Sequence, residues 1–352
     1  MTQKQERSTS MKALAIDEFG GPENFSLIDI GLPDPGPGEV TISVSACALN
    51  HIDVDIIRGV SRLPVSLPFV PGIEVVGTIK NIGPGVTGWE IGERVAPRVQ
   101  RNCGRCTPCL TARQDLCDEL EWISLATSGG YAEELVCHAD QLVRVPENLT
   151  DEAAVAVQVA FGTAWHMLFT RGRLRAGETV LVNAVGSGIG AAAVQLARWA
   201  GARVIGTAGS DDKLERARAH GMEAGVNYTA NPAFGPQVKE LTGGGVDLVF
   251  EHVGGSTFTS GLESLKKGGR LVTCGAHSQE VVPFDIIPLF RGEFEVLGSF
   301  AFVQTEVEKV FDLAARGVIE PLVDSVFSLA EGARAVERME SRKAYGKIVI
   351  MP

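Results

Sequence analysis

Cys103, Cys106, Cys109 and Cys117 stand in a C-x2-C-x2-C-x7-C run. Four thiolates this close along a chain can surround one tetrahedral Zn²⁺ and leave no open position, so such a site is structural rather than catalytic. Ferredoxins also use closely spaced cysteines, which makes an iron–sulfur cluster the alternative occupant. Four unliganded thiols grouped on a loop would be an oxidation hazard. The second group of residues within reach of chemistry is Asn183-Ala184-Val185-Gly186-Ser187-Gly188-Ile189-Gly190. Small residues between a strand and a helix let the backbone approach a pyrophosphate, and the helix N-terminus offers unpaired N–H donors. Gly186, Ser187, Gly188 and Ile189 are therefore expected to bind the phosphates of a dinucleotide; the alternative is a glycine turn without a ligand.

The next strand end selects the nucleotide. Enzymes that use NAD place an Asp or Glu about 20 residues beyond the loop, where it binds the ribose 2′-hydroxyl. Ala208 occupies that position here, followed by Gly209, Ser210, Asp211, Asp212 and Lys213. No carboxylate at that position repels a 2′-phosphate, Ser210 can hydrogen-bond one and Lys213 can supply charge. Lys213 reads equally well as part of a solvated helix face, and Asp211 and Asp212 oppose its charge. The expectation is NADPH.

These groups need elements to hold them. The 352 residues suggest about two domains, and 45% hydrophobic residues can bury a core. Residues 11–150 read as short strands, among them Val40–Cys47, Val75–Ile79, Arg94–Val99 and Glu134–His138, separated by turn clusters. From about 151 the rhythm changes to strand and helix in alternation. Strands are expected at Thr179–Val185, Arg203–Thr207, Asp247–Phe250 and Arg270–Cys274, and helices at Gly190–Ala200, Asp211–His220 and Thr257–Lys267. That alternation implies a doubly wound parallel sheet. Two more helices, near Thr305–Arg316 and Leu329–Ser341, precede a last strand, Lys347–Met351. The net charge of −11 argues against a nucleic-acid or anionic-membrane partner. No run reaches the roughly 20 apolar residues that span a bilayer. Residues 1–10 are polar and read as a flexible tail, not a signal peptide. Seven cysteines, four of them clustered, suit a reducing cytoplasm better than a disulfide framework.

With these pieces assembled, the chain resembles the medium-chain dehydrogenase/reductase family. The resemblance rests on Gly72-Ile73-Glu74-Val75-Val76-Gly77, the four-cysteine lobe at about 98–120, Gly186–Gly190, Val246–Gly255 and Gly346-Lys347-Ile348-Val349. It implies an α/β protein in which a GroES-like β-rich catalytic domain, residues 11–156 and 299–352, surrounds a Rossmann NADP-binding domain, residues 157–298. It also implies that the cysteines hold one structural Zn²⁺. In the zinc alcohol dehydrogenases of this family, a Cys opens a C-H-x-D-like motif, and the corresponding run here is Asn50-His51-Ile52-Asp53. The Cys ligand becomes Asn50, the Ser/Thr of the proton relay becomes Ile52 and the His ligand becomes Ile73. The third ligand falls among Gln158, Val159 and Ala160. A neutral amide is a poor zinc donor.

The chain is thus similar to the family's metal-free quinone oxidoreductases and enoyl reductases, and departs from many of them in keeping the cysteine lobe. Asn50 and Asp53 look like their N-x-x-D stretch, and Tyr228 like the tyrosine beside the adenosine 2′-phosphate. By the same resemblance Thr163 approaches the nicotinamide ribose. Val253, Gly275 and Ala276 line the cofactor groove, Phe300–Phe302 stand at the nicotinamide end, and Lys347 reaches the cofactor. The implied reaction is hydride transfer from NADPH to a quinone, or to a C=C conjugated with a carbonyl, as in an enoyl-CoA. Asn50 would donate an amide N–H to the developing enolate, His51 would contact phosphates or move a proton, and Asp53 would orient its neighbours. Two other readings stand beside this one. One is a zinc alcohol dehydrogenase with unusual ligands, His51 with Glu74 and Gln158; the other is an idle NADPH-binding protein of the kind that resembles crystallins. The expected partner is a small-molecule substrate, with self-association into a homodimer or homotetramer through the edge strand near Glu295–Phe300.

Overall fold

The structure, a computed structural model, describes residues 9–352. The chain forms two compact units. One comprises the residues up to Gln158 together with Val323–Pro352; the other is Val159–Leu322. The return to the first unit therefore comes at Val323 rather than near 299, and the helix Gln304–Ala315 belongs with the second unit. Of the expected tail, residues 1–8 lie outside the described residues. Thr9 and Ser10 already belong to the first strand, Thr9–Ile16, which pairs with Phe25–Leu32.

The first unit is built on a seven-stranded sheet. Its order is Val323–Ser328, Lys347–Met351, Glu39–Ala48, Glu74–Ile82, Arg94–Pro97 and Leu142–Arg144, with Glu134–His138 paired to the N-terminal part of Glu39–Ala48. Val40, Ile42 and Val44 give that central strand the β-branched residues that suit a pleated, packed surface. Leu14, Ile16, Cys47, Leu49, Ile57, Tyr131 and Ile348 fill the core beside it. Lys347–Met351 pairs with Glu39–Ala48 through Val349 opposite Ala48. Two segments almost the whole chain apart thereby become neighbours.

The second unit is a six-stranded sheet whose recorded pairs are all parallel, in the order Ala224–Asn227, Arg203–Ala208, Thr179–Val182, Val246–Glu251, Leu265–Thr273 and Glu295–Gly298. This is the 3-2-1-4-5-6 order of a doubly wound nucleotide-binding fold. Helices cover both faces of such a sheet, so its inner strands read as unbroken apolar runs; Leu181, Ile205, Val249 and Leu271 are fully buried. The expected helix to Lys267 stops at Glu263. Leu265 is buried and pairs with Val246, so strand begins where helix was expected to continue. The helix Gln158–Trp165 runs into a π-helical turn, His166–Arg171, pinned by the buried contact of His166 Nδ1 with Glu306 Oε2 at 3.0 Å. One stretch, Asp151–Arg171, is long and apolar enough to cross a membrane, which the sequence reading had not found. A 67% buried share marks it as core helix packing against its own protein.

Candidate active site and cofactor loop

In the first unit, the turn after the strand Glu39–Ala48 leads into the short helix His51–Ile57. Asp53 sits at its third position and accepts the Asn50 N–H on Oδ2 at 2.9 Å, a capping arrangement that satisfies a donor at the helix start. Its other oxygen accepts the Gly72 N–H at 3.2 Å. Burial pushes the Asp53 carboxyl up to about 7, against the pull of these two N–H groups and of Lys347.

Beside it lies a buried polar cluster. Lys347 Nζ donates to Glu74 Oε2 at 2.9 Å, Asn50 Oδ1 at 2.7 Å and Leu49 O at 3.0 Å. The fully buried Glu74 is thus paired with an ammonium. An ammonium can only donate, so it settles which end of the Asn50 amide is oxygen. The Asn50 Nδ2 then faces Ala48 O and Glu74 Oε2, both at 3.1 Å. Both amide hydrogens are committed inside the unit. The expected donation from Asn50 to an enolate would have to break one of these bonds. His51 is exposed at the first position of its helix, so of the three expected reaction-centre residues it is the one whose ring faces solvent.

The ligand set for an unusual catalytic zinc is engaged elsewhere. Gln158 spends its amide on backbone, accepting from Val99 N at 3.2 Å and donating to Pro97 O at 3.1 Å. Glu74 is held by Lys347. Ile73 offers no donor. Among the described residues, one group of His, Cys, Asp or Glu has metal-binding geometry: Cys103, Cys106, Cys109 and Cys117, with ligand atoms all within 4.8 Å of one another. A tetrahedron with Zn–S bonds of 2.3 Å has edges of about 3.8 Å, and Cys106 Sγ lies 3.8 Å from Cys117 Sγ. Backbone N–H groups point at the sulfurs, from Cys103 and Glu119 to Cys117 and from Cys106 to Cys103. Such donors favour thiolate: N–H groups of Asp118 and Cys109 bring Cys106 down to about 7. The donor set fits one Zn²⁺.

In the second unit, Ser187 caps the helix Gly188–Trp199 by accepting Gly190 N–H at 2.9 Å. A Cβ on Gly190 would stand 2.3 Å from Ala184 O, so only glycine lets strand and helix approach this closely. A Cβ on Gly186 would meet the aliphatic stem of Lys213 at 2.6 Å, so Lys213 crosses the loop instead of lying on a solvated helix face. Ser210 caps the next helix, its hydroxyl accepting Lys213 N–H at 3.4 Å. Tyr228 lies against Gly209. Asp211 accepts from Asn227 Nδ2 at 3.0 Å, which occupies one of the two nearby carboxylates. Ser187, Ser210, Lys213 and Tyr228 therefore gather at the ends of the first strands of this sheet. Phe302 is buried against Gly162, next to Thr163, whereas Phe300 is 58% exposed, so the two aromatic rings do not share one environment. Val253 and Gly275 flank His252: the Val253 N–H donates to Glu251 Oε1 at 2.6 Å, and a Cβ on Gly275 would lie 2.9 Å from His252 O. Ala276 follows on the same turn and lies against Gly254.

The sequence reading missed what lies beneath the loop. Glu251 accepts from Val253 N–H, Gly254 N–H, Thr257 Oγ1 and Asn183 Nδ2, and Asn183 in turn accepts from Thr207. Burial raises the Glu251 carboxyl, and these four donors oppose the rise. His252, read from sequence as structural or surface, places Nε2 2.9 Å from the Ser187 hydroxyl. A signal was present: Glu251-His252 is a polar pair ending an apolar parallel strand, where ligands of this sheet type bind.

A β-rich unit together with a doubly wound parallel sheet and its glycine-rich first turn is the build of a nucleotide-binding α/β protein. Residues 36–147 match the family described as alcohol dehydrogenase GroES-like domain, and residues 188–316 the one described as zinc-binding dehydrogenase. The chain is 30% identical to an alcohol dehydrogenase of Geobacillus stearothermophilus, over 97% of this chain and 99% of that one. It is 29% identical to acryloyl-coenzyme A reductase of Sulfurisphaera tokodaii, over 97% and 100%. To quinone oxidoreductase of Rattus norvegicus it is 30% identical, over 97% and 98%. Among solved structures, one titled as an NAD-dependent alcohol dehydrogenase superposes with a TM-score of 0.92 at 36% identity, covering 97% of this chain and 100% of that one. The chain belongs to the medium-chain dehydrogenase/reductase family, whose members use NAD(P)H.

Proposed function

We propose that this protein is an NADPH-dependent reductase of activated acceptors, quinones or α,β-unsaturated carbonyl compounds, with no metal at the reaction centre and one structural Zn²⁺ in its cysteine lobe. The observation that carries the reading is the Lys347–Glu74–Asn50 cluster. An ammonium neutralises the buried carboxylate, and amides stand where metal donors would be needed. A carbonyl substrate of an alcohol dehydrogenase relies on a Lewis acid to polarise it; a conjugated acceptor carries its own electron sink. NADPH supplies the hydride. The chain's part is to bind and orient both molecules and to exclude water. Gly186–Ile189 hold the pyrophosphate, Ser210, Lys213 and Tyr228 the 2′-phosphate, and Thr163 and Phe302 the nicotinamide end. Asn50, Lys347 and Asp53 keep the reaction centre rigid and polar. His51, exposed beside them, delivers the proton. The names of the acryloyl-coenzyme A reductase and quinone oxidoreductase relatives support this acceptor class, while the alcohol dehydrogenase relatives make the zinc count the deciding measurement.

The same reading includes self-association through the sheet edge Glu295–Gly298, where Val296 and Phe300 are exposed beside the apolar helix residues Ile286 and Phe290. It also places the protein in a reducing cytoplasm, in keeping with seven cysteines that are all unpaired. The test is turnover of NADPH and NADH with 1,4-benzoquinone, crotonyl-CoA and a simple enal, run beside metal analysis. One zinc per chain with NADPH-driven reduction of at least one acceptor is expected. Two zincs with alcohol oxidation would instead establish the alcohol dehydrogenase, and nucleotide binding without turnover the idle protein.

A further inference from the structure

The first unit carries a cleft of about 320 Å³ that shares no residue with the Asn50–Lys347 cluster. Ile28, Ile30, Phe69 and Leu125 supply apolar wall, and no Asp, Glu, Lys, Arg or His lines it. Ser66, Ser124, Thr127 and Ser128 bring hydroxyl groups to the cleft, and that of Thr127 is spent on Ser128 O. Ser124 and Ser128 both line the cleft, and both Oγ atoms are buried without a hydrogen-bond partner in the chain. Ser124 is 5% exposed and adopts a φ of 71°, a left-handed conformation that a residue with a Cβ seldom takes. Strained backbone and unpaired buried polar atoms are both unfavourable for folding, and where they coincide at a cavity they point to a ligand.

The lining chemistry narrows the ligand. A charged molecule would be desolvated against walls with no counter-charge, which is costly. A pure hydrocarbon would leave both hydroxyls unpaired. A volume at the lower end of the range for small-molecule sites fits a body of one or two rings. We propose that this cleft is a second binding site, separate from the reaction centre, for an uncharged apolar molecule bearing a carbonyl oxygen, which Ser124 and Ser128 bind by donating their hydroxyl hydrogens. The inference stands apart from the proposed reaction, because it needs neither cofactor nor hydride transfer.

The test uses the full chain without nucleotide and 4-fluoroacetophenone as probe, followed by ¹⁹F NMR titration. Saturable binding is expected, with 4-fluoro-ethylbenzene, which has no carbonyl, binding at least tenfold more weakly. Ser124→Gly together with Ser128→Ala removes both donors, and glycine accepts the left-handed backbone at 124 without strain. Loss of affinity in that variant therefore does not report unfolding; an unchanged melting temperature confirms it. The affinity should fall about tenfold, the effect of losing two modest neutral hydrogen bonds. Equal binding of the hydrocarbon, unchanged affinity in the double variant, or absence of saturable binding would each overturn the assignment.

Discussion

Lys347 is the residue on which the buried polar cluster of the first unit turns, because Glu74 is fully buried and its carboxylate is paired with that ammonium. Replacing Lys347 by Met should therefore cost about 3–5 kcal/mol, the usual consequence of leaving a buried charge without its partner. Adding Glu74→Gln to that variant should recover most of the loss, and urea unfolding of both proteins measures it. Equal stability of the two variants would show that the pair is not the stabilising unit. Asp53 gives a pH signature at the same scale. Its folded-state value of about 7 lies above the ordinary 3.8, so the folded protein binds this proton more tightly than the unfolded chain does. The stabilisation is present below about pH 4 and is lost as pH rises through 7. The melting temperature of the native protein relative to Asp53→Asn should accordingly fall between pH 4 and 7 and level off above. A difference that does not change with pH would contradict that assignment of the proton.

At the scale of elements, the proposed preference for NADPH rests on the end of the Arg203–Ala208 strand and the helix that follows it. Ala208 is buried at the strand end, Ser210 caps the helix, and Lys213 lies across Gly186. Ala208→Asp should shift preference from NADPH towards NADH by more than tenfold in kcat/KM, since a carboxylate there repels the 2′-phosphate and binds a free ribose hydroxyl. The cysteine lobe has only two-residue strands and one-turn helices of its own. Such a segment lacks the apolar contacts to hold its shape alone, so bound metal should supply its stability. Cys106→Ser should release the zinc, detected by a colorimetric chelator, and lower the melting temperature. Retention of stoichiometric zinc would show that these thiols are not its ligands.

For the whole molecule, the sheet of the second unit ends in Glu295–Gly298, whose outer side has no strand neighbour among the described residues. Exposed apolar side chains cluster beside it on the helix Ile286–Gly292. An unpaired strand edge flanked by apolar surface associates readily. Val296→Lys with Phe290→Asp should reduce the mass measured by light scattering to that of one 37.4 kDa chain. A native protein already of that mass, or an unchanged larger mass in the variant, would refute the proposed interface.

Much was legible in the residues before any fold was known. The spacing of Cys103, Cys106, Cys109 and Cys117 foretold a four-sulfur cluster because ligands close in sequence need only a local loop to meet. Gly186–Gly190 foretold the phosphate-type turn because backbone approach depends on the absence of Cβ, which is written in the residue type. Tertiary structure alone decided what the Asn50 amide does. Lys347 meets Asn50 Oδ1 across 297 residues through sheet pairing, and Ala48 O and Glu74 take the amide hydrogens that sequence reasoning had offered to the substrate. The Glu251–Asn183–Thr207 network and the Ser124–Ser128 cleft are likewise products of packing. Hydrogen-bond capacity is a property of a residue, but whether it is still available depends on the neighbours that folding brings.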